Sequence, residues 1–228
     1  MQTLSCSGVW QVLKRCRVTY KRGRQYVHSP DPEYEQKMER IAQIWQQVRQ
    51  EPQRYVLLYE DELSYYRQPT LAQGFARTGS KGPLAVRSYQ ANRYRRIAGC
   101  INALTGSVFA WLRNRFDRTT LLHFFWAVEN AYPQATTIFI VLDNWPVHFH
   151  ADLLAGLQGT RIQLVRLPTY APWENPMEKV WRKLYQEILH LHAHSDQLDV
   201  LQQRIANFLA AFEPPSPSLL RYVGLLTD

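Results

Sequence analysis

The stretch IFIVLDN, Ile138 to Asn144, decides the fold: five consecutive apolar residues, three of them β-branched, stopped by an aspartate. A run this short, without the alternation of a half-exposed strand, predicts a strand covered on both faces. The same signature stands upstream in YVLLY, Tyr55 to Tyr59, which stops at Glu60, Asp61 and Glu62, and IQLVRL, 162–167, gives a further strand downstream. Two more strands are expected at about 94–103 and 107–112, joined by a turn at Thr105-Gly106, while the glycines and proline within 63–92 read as loop or hairpin. Helical spacing marks 33–50 (ended by Pro52), 119–131, a short stretch near 148–157, 176–190 and 196–212. The 176–190 helix carries the stripe Met177, Val180, Trp181, Leu184 and Ile188, and Pro214, Pro215 and Pro217 stop the last helix. Strands alternating with helices after an initial meander define an α/β protein: a mixed five-stranded sheet flanked by helices.

With 228 residues, 46% of them hydrophobic and seven Trp, the chain can bury a sizeable core and is not disordered. Cys6, Cys16 and Cys100 are too few and too scattered for a disulfide framework and hold no C-x-x-C pair, so a reducing cytosolic setting is expected. No run of about 18 apolar residues exists to span a membrane, and the first residues lack a secretory apolar stretch. The net charge of +8 points towards a polyanion, and it is unevenly spread. KRCRVTYKRGR, residues 14–24, holds Lys14, Arg15, Arg17, Lys21, Arg22 and Arg24 and no acid. Before it, Ser5 or Ser7 can cap a short helix striped by Val9, Trp10, Leu13 and Cys16. This segment is either a solvated basic face or a DNA-contacting helix with a phosphate-binding tail. A lone helix of this length buries no core of its own, so it docks on the main body or belongs to something larger.

Two buried-looking strands thus end in acids, Asp61 and Asp143. A third, Glu178, lies in the first turn of the 176–190 helix, with 34 residues between it and Asp143. Each has an ordinary reading. An acid after a strand is often a cap or a solvated loop residue, and Asn175, Pro176 and Glu178 form a helix start with the spacing of a capping box. Together they are a tool for hard divalent cations: three carboxylates can hold Mg²⁺ or Mn²⁺, and two such ions serve phosphodiester displacement. Strand alternation puts Glu60 and Glu62 on one face and Asp61 on the other.

At these residues the sequence resembles the DDE transposases of the mariner superfamily, in particular the related bacterial insertion-sequence transposases. The family's D-N-x-x-x-H motif after an apolar strand is matched by Asp143, Asn144 and His148, and its L-P-x-Y-S-P-x-L-N-P-I-E-x-x-W motif by LPTYAPWENPMEKVW, Leu167 to Trp181. The D-E motif is matched by Asp61-Glu62. Ala171, Glu174 and Met177 depart from the pattern but leave Asn175, Pro176 and Glu178 intact, and RTGSKG, Arg77 to Gly82, resembles a shortened family loop without its Trp.

The resemblance implies a ribonuclease-H-like, integrase-type catalytic domain over 51–192. A residual recognition helix, basic linker and connecting helix would occupy 1–50, and a C-terminal helix and tail 193–228. It implies that Asp61, Asp143 and Glu178 hold two Mg²⁺ or Mn²⁺, with Asn144, His148 and Asn175 supporting them, and that the chain cleaves transposon ends and transfers the strand into target DNA, at a TA dinucleotide. The basic residues of 14–24, with Arg93, Arg95 and Arg96, would bind phosphates. A homodimer on DNA and a bacterial cytoplasmic location follow from the same likeness. The N-terminus matches only the last helix of the family's second helix-turn-helix unit, so poor binding of transposon ends by this chain alone is expected. Another ribonuclease-H-like nuclease, or a catalytically idle DNA-binding remnant, would share these features. The alternating His190, His192 and His194 lack the spacing of a zinc site except for the first and last, and no P-loop or Rossmann fingerprint is present.

Overall fold

The computed structural model describes residues 5–19, 28–79 and 81–226. Five strands, β1 (Tyr55–Tyr66), β2 (Tyr94–Asn102), β3 (Val108–Arg113), β4 (Thr137–Leu142) and β5 (Ile162–Arg166), form one sheet in the order β3-β2-β1-β4-β5. The β1–β2 and β2–β3 pairs are antiparallel, and β4 and β5 join in parallel on the other side of β1. The helices are α1 (Cys6–Arg15), α2 (Tyr34–Gln50), α3 (Arg118–Ala131), α4 (Ala151–Gly156), α5 (Met177–Leu184), α6 (Leu198–Ala210) and α7 (Pro217–Val223), and a π-helical turn, Tyr185–Leu189, continues α5. This is the expected α/β class, a mixed five-stranded sheet with helices on both faces.

The two sheet faces carry separate cores. On one, Leu57, Tyr59, Ile97, Ile101, Phe139 and Val141 meet α2, α5, α6 and α7 through residues such as Ile44, Val180, Ile205 and Leu219. On the other, Leu58, Ala98, Cys100, Ile138, Ile140 and Leu142 meet α3 and α4 through Phe124, Phe125, Val128 and Leu153. Burial on both faces explains why β4 reads as an unbroken apolar run. α2 and α6, outside the 51–192 segment, contribute to the same core as α5.

Three details correct the sequence reading. β1 does not stop at the acids: it runs on to Tyr66 because β2 supplies a continuous ladder from Leu58↔Asn102 to Tyr66↔Tyr94, and inter-strand pairing overrides the weak strand preference of Glu and Asp. The prolines that end α6 also start α7, where Ser216 accepts a hydrogen bond from the Leu219 N–H and Pro217 occupies the first turn. At the N-terminus, Ser5 caps α1 by accepting from the Gly8 N–H at 3.2 Å, but no residue of α1 is buried and Trp10 is 61% exposed, so the helix does not bury its apolar stripe against the main body.

α5 lies unusually close to the sheet because β2 has no side chain beneath it. A Cβ on Gly99 would stand 2.8 Å from Met177 Cε and 2.9 Å from Trp181 Cη2. Gly99→Ala is therefore expected to lower stability by about 1–3 kcal/mol through overpacking. Denaturant titration checks it, and adding Met177→Ala should recover part of the loss.

Candidate active site

The last paired residues of β1 and β4 are Tyr59↔Val141, and the strands run parallel. Asp61 and Asp143 each follow two residues later, so they emerge level with one another. Two residues is also one full side-chain period, so both inherit the face of Tyr59 and Val141, the face that carries α5. Beyond this point β4 leaves the sheet while β1 continues with β2, and the gap between them opens a cleft of about 440 Å³ lined by Asp61, Asp143 and Glu178. In open sheets sites form where strands part in this way. The structure thus brings all three sequence-predicted acids to one cavity.

Glu178 is delivered by a helix start pinned to β1. The Asn175 side chain accepts from the Met177 N–H at 3.0 Å, which caps α5, and donates through Nδ2 to the Glu60 carbonyl at 2.8 Å. One turn on, the Trp181 indole N–H donates to Asp61 Oδ2 at 2.9 Å. Trp181 looks in sequence like one more member of the apolar stripe. Its hydrogen bond to Asp61 was not foreseen, and only its place in the third motif hinted at more than packing. Asn144 ties the loop after β4 to the end of β5, donating to the Leu167 carbonyl at 2.8 Å and accepting from Arg166 at 3.2 Å. Tyr170, at the cleft rim, is 75% exposed and holds a left-handed backbone with φ 54°.

The electrostatics separate the three acids. Burial, then the charges of Glu178 and Glu62, push the Asp61 carboxyl up to about 8. Burial and the Asp143 charge raise Glu178, with Arg182 opposing. Burial also acts against Asp143, but hydrogen bonds from His148 and the Trp145 N–H outweigh it and hold Asp143 below its ordinary value. The cleft is a group of carboxylates short of positive charge, the environment a divalent cation relieves.

On the opposite face of β1, Glu60 and Glu62 meet His148, as strand alternation requires. Nε2 of His148 lies 2.9 Å from Glu62 Oε1 and 3.7 Å from Glu60 Oε2, and Nδ1 lies 3.2 Å from Asp143 Oδ1. His148 therefore links the outer acid to the inner pair. Burial pulls its imidazole down, but Asp143, Glu62 and Glu60 raise it to about 11, so it is an imidazolium at neutral pH.

The remaining candidates are dispersed. Lys14 and Arg15 lie in the last turn of α1, with Arg17 just beyond it, and Lys21, Arg22 and Arg24 lie outside the described residues. Arg93 precedes β2, and Arg95 and Arg96, adjacent on that strand, point to opposite faces of the sheet, so these three do not share one surface. His190 pairs with Thr70, His194 with Arg204, and His192 accepts from the His194 N–H. Among the described residues these histidines form no metal-holding group.

A mixed sheet in this order, with one acid within the central strand, one just beyond its parallel neighbour and one on a following helix, is the ribonuclease-H-like arrangement of transposase catalytic domains. The family model described as DDE superfamily endonuclease matches residues 56–201, and the chain belongs to that family. The chain is 21% identical over 212 residues to the insertion element IS630 uncharacterized 39 kDa protein of Shigella sonnei, covering 92% of this chain and 60% of that protein. It thus spans about 60% of the length of this curated relative. Among solved structures, the Mos1 mariner paired-end complex with Mn shares the fold with a TM-score of 0.68 at 14% identity, over 97% of this chain and 67% of that one. The Mos1 transposase paired-end complex with the left transposon end gives 0.67 at 13% identity, over 96% and 66%. Among the described residues, no helix is long and apolar enough to cross a membrane.

Replacing Asp61 tests the charge imbalance. A carboxyl raised on folding costs nothing below its unfolded pKa near 4, and the cost grows as pH rises towards about 8. Asp61→Asn removes that cost and keeps an oxygen to accept from Trp181. The variant is expected to melt about 2–4 °C higher than wild type in metal-free buffer at pH 8, a gain of ~1 kcal/mol, and to lose most of the stabilisation that Mn²⁺ gives wild type. Differential scanning calorimetry with and without Mn²⁺ reads both effects.

Proposed function

We propose that the chain is the catalytic part of a DNA transposase, cutting at the ends of a mobile element and joining the freed end to target DNA. The observation that carries this reading is the convergence of Asp61, Asp143 and Glu178 on one cleft in a DDE-family fold. The donor set is all carboxylate and short of positive charge, which suits Mg²⁺ or Mn²⁺. Held by these three residues, two such ions would acidify the attacking hydroxyl and neutralise charge on the leaving oxygen.

Asn175 and Trp181 fix Glu178 and Asp61 relative to each other, and His148 and the Trp145 N–H orient Asp143, so the carboxylates are preorganised around the scissile phosphate. In the first reaction a water oxygen bonds to phosphorus and the P–O3′ bond breaks, leaving a 3′-hydroxyl and a 5′-phosphate. In the second, that 3′-hydroxyl bonds to a target phosphorus, by family likeness at a TA dinucleotide, and displaces another 3′-oxygen. Lys14, Arg15, Arg17, Arg93, Arg95 and Arg96 contact DNA phosphates, Arg95 and Arg96 from opposite faces of β2 and so on separate stretches of backbone, and the active species is a homodimer acting on bacterial chromosomal or plasmid DNA.

The test is cleavage with Mn²⁺ of three labelled substrates: duplex carrying the element's terminal repeat, duplex of unrelated sequence, and RNA–DNA hybrid. Nicking at the repeat boundary is expected. Preferential cutting of the hybrid would favour another nuclease of this fold, and no cutting of any substrate would mark an idle DNA-binding remnant.

A further inference from the structure

We propose that Glu60, Glu62 and His148 form a second cation site, inside the domain on the sheet face opposite the cleft, which takes a first-row transition-metal ion such as Zn²⁺. Among the described residues, these three side chains are the group whose donor atoms all lie within 4.8 Å of one another. His148 Nε2 stands 2.9 Å from Glu62 Oε1 and 3.7 Å from Glu60 Oε2, and bonds of about 2.0–2.2 Å to one ion place neighbouring donors ~3–3.5 Å apart. The two distances to His148 bracket that spacing, and the two carboxylates lie within 4.8 Å of each other.

The independent observation is Glu60. Its side chain is fully buried, is directed at His148, and has no hydrogen-bond partner on either carboxylate oxygen among the described residues. A proton on Nε2 serves only one acceptor at hydrogen-bond distance, and Glu62 takes it. With no hydrogen bond, the Glu60 carboxylate has only the His148 ring at 3.7 Å to offset its burial, and an ion on Nε2 would meet it at bonding distance. One imidazole with two carboxylates suits Zn²⁺ or Mn²⁺ better than Mg²⁺, which prefers an oxygen shell with several waters. The surroundings fit an enclosed site: the rings of Trp145 and Phe149 lie 5.3 and 6.3 Å from His148, Asp143 orients the imidazole through Nδ1, and Cys100 is buried on the neighbouring strand. Such an ion would replace the Nε2 proton and brace β1 against the loop after β4.

The experiment uses untagged Asp61→Asn/Glu178→Gln protein, in which two of the three cleft acids are gone, titrated with Zn²⁺ by calorimetry and followed by zinc X-ray absorption. One equivalent with an imidazole signature is expected. Glu60→Gln in the same background, which preserves shape and leaves His148 in place, should weaken binding at least about 10- to 100-fold. No bound equivalent, a spectrum without imidazole, or binding unchanged by Glu60→Gln (zinc then sitting elsewhere, as at His190–His194) would overturn the proposal. Because the background already lacks cleft ligands, failure here leaves the cleft assignment standing, and loss of DNA cleavage elsewhere leaves this one standing.

Discussion

Asp143→Asn is expected to reduce Mn²⁺-dependent nicking of terminal-repeat DNA by about three orders of magnitude or more, equivalent to ~4 kcal/mol of transition-state stabilisation. The substitution is nearly isosteric, and its remaining oxygen can still accept from the Trp145 N–H, which now bonds Asp143 Oδ1 at 2.9 Å. The fold should therefore persist with a modestly lowered melting temperature, because the charged contact with His148 is weakened, and lost nicking in protein that still melts cooperatively would separate chemistry from stability. Asp143 is the most telling of the three acids to change. It is the one held below its ordinary pKa, so it supplies negative charge across the whole neutral range, whereas burial and neighbouring carboxylates raise Asp61 and Glu178. Nicking retained within tenfold of wild type would remove Asp143 from the cation-binding role.

His148→Ala should cost about 3–5 kcal/mol of stability at pH 7, because it leaves Glu60 and Glu62 without the imidazolium that offsets them. For a domain of this size that is roughly a 10 °C fall in melting temperature. The pH dependence has a definite sign. A histidine raised on folding to about 11 gives stability that is complete below its unfolded pKa near 6.5 and declines as pH rises through 11. The deficit of the alanine variant should therefore narrow at alkaline pH as wild type loses its advantage. It should narrow again as pH falls and Glu60, held well above its ordinary value by burial and the Glu62 charge, takes up a proton. Chemical denaturation at pH 5, 7 and 10 measures this. A deficit independent of pH would mean that His148 contributes packing alone.

The five strands and the three cleft acids were legible because each rests on local chemistry. Apolar runs give the central strands, and Asp61 and Asp143 sit where those runs end. The Asn175-Pro176-Met177-Glu178 sequence marks the start of a helix whatever surrounds it. What escaped depends on contacts distant in sequence. β1 could not be followed past Glu60-Asp61-Glu62 because the partner that carries it, β2, lies some 30 residues on. Trp181 could not be assigned to Asp61 because an indole N–H in an apolar stripe has no periodic signature. The inner cluster was half visible. Alternation put Glu60 and Glu62 on the far face, and D-N-x-x-x-H suggested that His148 serves a carboxylate, but only the fold shows that these groups meet. The arginines of β2 stand close in sequence, yet strand geometry divides Arg95 from Arg96.

The Asn175 bridge to the Glu60 carbonyl and the Trp181 bond to Asp61 weld α5 to β1 at two points. Two of the three acids therefore behave as a fixed jaw, while Asp143 stands 57% exposed on the turn leaving β4. If the chain acts as proposed on an intact duplex and then on a free end beside a second duplex, the difference in girth falls on the Asp143 side of the cleft, which the Asn175 and Trp181 bonds do not tie to β1.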